Sequence, residues 1–215
     1  MLNEIITIFY KEFQEFISVN KKRSMVLKLI YLPIMYLILL LENRPKNFLI
    51  FLMFILFIIG IYSVFITYNS VQEEKNKKTL ETLLSIGLKR KNIFVGKIIL
   101  PIIVSLIITI YNICCIYIIN LFNYFPKIEI NLILFFAIPI LFGVLNATMT
   151  FLLTLKMDKS YYMSYFISAT VFIFGFIIFY PISLIKTLLL IMYMIIMICI
   201  IMIFTIQRFN KYKIF

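Results

Sequence analysis

Apolar residues recur along Met1–Asn20 at helical spacing: Leu2, Ile5, Ile6, Phe9, Phe13, Phe16 and Ile17. Glu4, Thr7, Lys11, Glu12, Gln14, Glu15 and Ser18 fill the other face. This repeat predicts an amphipathic helix over residues 1–20. It is too polar to span a bilayer and is expected to lie in the membrane interface rather than on a soluble core. Its charged face stands where a signal peptide would carry an apolar centre, which argues against a signal peptide.

Past Asn20–Arg23 the alternation gives way to long apolar runs. Six spans are expected: Met25–Leu41, Phe48–Asn69, Ile98–Phe122, Leu132–Leu155, Tyr161–Tyr180 and Thr187–Ile206. Each is near the ~20 residues that cross a ~30 Å hydrocarbon layer. The first is short and carries Lys28, whose stem can snorkel to the near interface. Pro33, Pro101 and Pro139 fall within spans and are candidate kinks. The loops between them are short, with one exception. Residues 71–97 are polar, basic and helix-patterned.

Composition supports this pattern. The chain is 64% hydrophobic and only 14% charged, with a mean hydropathy of +1.08. Soluble domains carry about 25% charged residues. The expected fold is therefore an all-α integral membrane protein: one membrane-spanning domain over residues 1–215, with six transmembrane helices, an N-terminal interfacial helix and a further short helix between spans two and three.

A net charge of +12 would otherwise point to nucleic acid, but the distribution argues against it. Of the 21 Lys and Arg, only Arg44, Lys46, Lys127 and Lys186 fall on one side of the expected spans; the other 17 fall on the opposite side. The positive-inside rule then puts both termini and residues 71–97 in the cytoplasm. No nucleic-acid partner is expected; the bilayer is. The Ile, Lys and Asn bias suggests a bacterial plasma membrane.

Candidate chemistry is sparse. There is no His, the usual proton shuttle and commonest metal ligand. Cys114 and Cys115 are neighbours, so on a helix they point about 100° apart and do not converge on a metal. No catalytic residue, metal site or cofactor is expected on this chain. A membrane-embedded lipid-modifying enzyme finds few acid–base groups here. No Asp or Glu falls inside an expected span, which disfavours an ion-coupled transporter. The polar residues left in the spans are chiefly Thr109 and Asn112 in the third and Asn146, Thr148, Thr150 and Thr154 in the fourth. They are read either as interhelical hydrogen bonders or, for Thr109, Asn112, Asn146 and Thr150, as the lining of a translocation path.

Within the cytoplasmic segment, Leu80, Leu83 and Leu84 share one face of a two-turn helix. Thr79 is placed to cap it, Glu81 suits the positive end of its dipole, and Gly87 can end it in a left-handed conformation. A second helical piece starts near Asn92 and runs through Gly96 into the third span. These residues, "EEKNKKTLETLLSIGLKRKNIFVGK", resemble the cytoplasmic signature of the type-2 ABC exporter permeases. Thr79-Leu80-Glu81 and Leu83-Leu84 match its core, and Arg90, Ile93, Gly96 and Lys97 its trailing positions. Lys78 stands where that family has Gly, and Gly87 where it has Pro.

The resemblance implies a membrane subunit with no ATPase of its own, and no G-x-x-x-x-G-K-[ST] loop occurs in the chain. ATP and Mg would be held by a separate nucleotide-binding subunit, in whose cleft the helix of Thr79, Leu80, Glu81, Leu83 and Leu84, with Arg90 behind it, would rest as a coupling helix. Two permease subunits would pair, identical or homologous, and export a hydrophobic or amphipathic cargo such as a short peptide. The N-terminal helix would slide in the interface as the spans move. The alternative is a non-transporting integral membrane protein, for assembly or immunity.

Overall fold

The computed structural model describes residues 2–19, 48–77, 79–121, 132–156, 173 and 184–210. Every element among them is helical: α1 Leu2–Val19, α2 Phe48–Asn76, α3 Thr79–Ser85, α4 Arg90–Leu121, α5 Leu132–Lys156 and α6 Leu184–Asn210. Four of the described helices, α2, α4, α5 and α6, are long and apolar enough to cross a membrane. They correspond to the second, third, fourth and sixth expected spans. The expected first span, and the fifth apart from residue 173, lie outside the described residues.

Three of these helices outrun their expected spans by more than a residue, α6 by a few residues at each end. The second span was expected to end at Asn69, yet α2 runs on to Asn76. The third was expected from Ile98, with a helical piece leading into it from near Asn92; α4 is continuous from Arg90. At 1.5 Å per residue, α2 and α4 are about 44 Å and 48 Å long, well beyond a ~30 Å hydrocarbon layer. Polarity changes along the chain at these positions, but helical hydrogen bonding continues through them. Glu73 and Glu74 therefore stand on a helical extension of α2, and Lys91 and Lys97 on one of α4. Both α4 and α5 continue through their prolines, Pro101 and Pro139.

α5 is central. It packs against α2, α4 and α6, while α6 packs mainly on α5 and leaves most of its surface outward. Lipid tails are as apolar as leucine, so close approach rather than hydrophobic burial holds such helices together. Gly143 provides that approach between α5 and α4: a Cβ there would lie 2.2 Å from Ser105 Oγ. At the charged end, one apolar cluster joins Ile8 of α1, Val71 of α2, Ile93, Phe94 and Ile98 of α4, and Ala147, Phe151 and Leu155 of α5. Phe94 and Phe151 meet edge to face with centroids 5.0 Å apart, a geometry worth ~0.5–1.5 kcal/mol beyond burial. Nearby, Lys75 donates to the carbonyl of Thr154 at 3.0 Å. That carbonyl lies in the last turn of α5, where it has no partner within the helix.

α1 is a helix, as its periodicity predicts, but it has three faces rather than two. Ile8 and Glu12 are buried, flanked by half-buried Glu4, Ile5, Phe9, Lys11, Glu15 and Phe16. This face packs on α4. Leu2, Ile6, Tyr10 and Phe13 form an exposed apolar stripe, and Asn3, Thr7, Gln14 and Ser18 an exposed polar one. The helix thus rests on the base of the bundle as well as offering an apolar side to its surroundings, because α4 projects far enough to receive it.

Candidate functional site

α2, α3 and α4 form a tight turn at the charged end of the bundle. α3 has only seven residues, and its last turn closes on itself: Ile86 N donates to Thr82 O, Gly87 N to Leu84 O and Ser85 Oγ to Thr82 O. Gly87 then takes φ = 88°, the left-handed conformation expected of a glycine ending a helix. Two residues later the backbone turns into α4, with Lys89 O accepting from Asn92 N and Ile93 N. Lys89 is therefore the capping position, three residues before the expected start at Asn92.

Within this turn the residues singled out from sequence do not all face the same way. Leu83 and Leu84 are half-buried and pack, with Leu88, against the cluster of Val71, Ile93 and Phe94. Thr79 and Arg90, the first residues of their helices, are also half-buried. The side chains of Leu80 and Glu81 lie outside the described residues. The exposed positions from α3 to the start of α4 are Thr82, Ser85, Ile86, Gly87 and Lys89, and Ile86 is 71% exposed.

The polar span residues are sealed inside the chain. Thr109, Asn112, Asn146 and Thr150 are all buried. Each donates to the carbonyl four residues back in its own helix, at 2.7–2.8 Å. Thr154, Thr205 and Ser105 do the same. A hydroxyl or amide in an apolar bundle can be satisfied by the carbonyl of the preceding turn. Ser63 and Ser105, 3.2 Å apart, make a bond between helices.

The strongest polar arrangement was not expected from sequence. Lys97 and Glu12 are buried, with Lys97 Nζ 2.5 Å from Glu12 Oε1. Lys97 also donates to Ser70 Oγ at 2.7 Å and lies 3.0 Å from Glu74 Oε2. Glu74 Oε2 accepts no hydrogen bond, so this last contact is off-axis and chiefly Coulombic. Glu74 Oε1 accepts from Lys11 Nζ at 2.5 Å, and Lys11 lies 3.8 Å from Glu15. The charges alternate in sign from Glu12 through Lys97, Glu74 and Lys11 to Glu15. Burial alone would lower the Lys11 ammonium, but the hydrogen bond and charge of Glu74, with Glu15 and Glu12 behind, raise it overall. Burial raises the Glu15 carboxyl above its ordinary value, against the pull of Lys11. A cleft beside the cluster is lined by Glu12, Glu15, Phe16, Phe65 and Ser70 among others.

From the sequence, Lys97 signalled orientation and a place in the signature, and Glu74 only the polar segment after the second span. Their positions on α2 and α4 extensions, and the acidic residues at 4, 12 and 15 of α1, are the signal that could have paired them. Among the described residues no group of His, Cys, Asp or Glu could hold a metal ion. No family model matches the chain, and no curated protein or solved structure matches it.

Proposed function

We propose that this chain is the membrane subunit of an ATP-driven exporter that takes its ATPase from a separate chain. The observation that carries the reading is the turn between α2 and α4: a two-turn helix held across two long helices, with Ile86 kept in the open. An apolar side chain so exposed in the turn that ends a short, internally braced helix suits docking in a partner's cleft. The sequence likeness around Thr79–Lys97 supports the same partner, a nucleotide-binding subunit carrying ATP and Mg. Both termini and α3 would then be cytoplasmic, in a bacterial plasma membrane, and a Cys placed at Lys77 would be labelled only from inside.

The cargo is hydrophobic or amphipathic, such as a short peptide, and its route runs between this chain and a second permease subunit. The sealing of Thr109, Asn112, Asn146 and Thr150 within one chain favours a route between copies over one through a single copy. The same sealing suits the alternative, a non-transporting assembly or immunity protein. Affinity purification of tagged chain from membranes decides between them. Stoichiometric recovery of an ATPase subunit, whose hydrolysis depends on the permease, supports the exporter; recovery of the chain without one overturns it.

A further inference from the structure

α1 and the base of α4 meet at three successive levels. Glu4 Oε2 accepts from Asn92 Nδ2 at 2.5 Å, Ile8 lies across Gly96, and Glu12 Oε1 accepts from Lys97 Nζ at 2.5 Å. On α1 these residues recur every fourth position and share a face. The contacts rise together along both helices, so α1 and the start of α4 run in the same sense. The middle level is close: a Cβ on Gly96 would lie 2.7 Å from Ile8 Cγ2 and 3.3 Å from the backbone oxygen of Ile5.

The geometry points to a clamp that fixes α1 on the base of α4, so that the two helices move as one body. Asn92, Gly96 and Lys97 are then positioning residues for α1, and not contacts for another subunit. A slide of one turn along α4 would carry Ile8 off Gly96 onto a position with a side chain. It would also take Glu12 from Lys97, leaving a fully buried ammonium with Glu74 as its remaining counter-charge. Such a charge is costly unless paired, so the clamp has one register. α3 packs through Leu83 and Leu84 on the cluster that contains Ile8, Ile93 and Phe94, so it is carried with them.

This inference rests on the exporter reading only where it says how a push on α3 reaches α1. The clamp itself depends on contacts within this chain. It replaces an N-terminal helix that slides in the interface with one that moves only when α4 does.

Nitroxide labels at Gln14 and Lys91, both exposed, report the α1–α4 distance in membranes, in a chain whose three cysteines are replaced. The clamp predicts one narrow distribution for the otherwise native chain. It predicts a second population, or at least a doubled width, for Glu12→Gln and for Glu12→Leu combined with Lys97→Met. Glu4→Ala, at the outer level, tests the same point if the buried variants do not fold. A native distribution that is already broad overturns the clamp, as do variants all as narrow as the native chain. With the ATPase subunit bound, adding ATP should leave the distance unmoved; a displaced peak overturns one-body motion. Absence of any ATPase subunit would fail the exporter reading while the comparison of variants still decides the clamp.

Discussion

Lys97 Nζ lies 2.5 Å from Glu12 Oε1 with both side chains closed to water. The pair bridges two helices that are 85 residues apart in sequence at this contact. Burial strips hydration from each charge, and Ser70 and Glu74 complete the shell of the ammonium. Pairs of this kind add little net stability over apolar packing but penalise half-removal heavily.

Lys97→Ala should therefore destabilise the protein by ~3–5 kcal/mol, since it leaves Glu12 buried without its cation. Glu12→Leu combined with Lys97→Met should lose far less, because both charges go together. Thermal denaturation in matched detergent compares them. Equal losses in both variants would assign the effect to packing and not to charge.

Two glycines should respond differently to alanine. Gly96→Ala drives a methyl into Ile8, a β-branched side chain with little freedom to yield, and should cost ~1–3 kcal/mol as overpacking does. Gly87→Ala meets nothing within 4 Å but must hold φ = 88°, a strain of ~1–2 kcal/mol for a residue with a Cβ. Protease protection separates them. The first variant should expose α1 to cleavage, whereas the second should loosen only the α3 turn.

The Glu15 carboxyl predicts a pH effect of unusual sign. Its folded value is raised above the ordinary 4.5, first by burial and against the attraction of Lys11. The folded state therefore binds this proton more readily than the unfolded chain does. Its contribution to stability falls as pH rises from 4.5 through the raised value. Glu15→Gln should raise the midpoint of thermal unfolding near neutral pH and flatten that part of the profile. A native profile that rises with pH there, and is unchanged in the variant, would show that Glu15 is solvated after all.

Periodicity reads one helix at a time, and that sets what the sequence could disclose. It located α1, and the turn chemistry located the stop at Gly87, because both are decided by neighbours along the chain. It placed Glu4, Lys11, Glu12 and Glu15 on a single polar face with Thr7, Gln14 and Ser18. Only the arrival of α4 divides that face into a buried half and an open half. Glu74 and Lys97 were legible as charges but not as partners, since no local rule joins residues on different helices. Leu83 and Leu84 show another side of the same limit: periodicity puts them on one apolar face of a short helix, and only the folded bundle shows that part of that face is already covered.

That last point gives a prediction that separates folding from docking on the same two turns of helix. Leu84 is half-buried against the body of the chain, and Ile86 stands 71% exposed. Leu84→Ala should weaken the α3 turn itself, by less than the ~2–5 kcal/mol of a full core truncation. Its effect on a partner would follow from that loosening. Ile86→Asp alters no packed contact and should leave stability and membrane level unchanged. If Ile86 anchors the ATPase subunit, a charge there should weaken capture about 30-fold, the equivalent of the ~2 kcal/mol typical of an interface anchor. Quantitative pull-down at equal permease levels, beside thermal unfolding of each variant, reads both effects. Undiminished capture by Ile86→Asp would mean that the exposed side of α3 is not where the ATPase subunit binds.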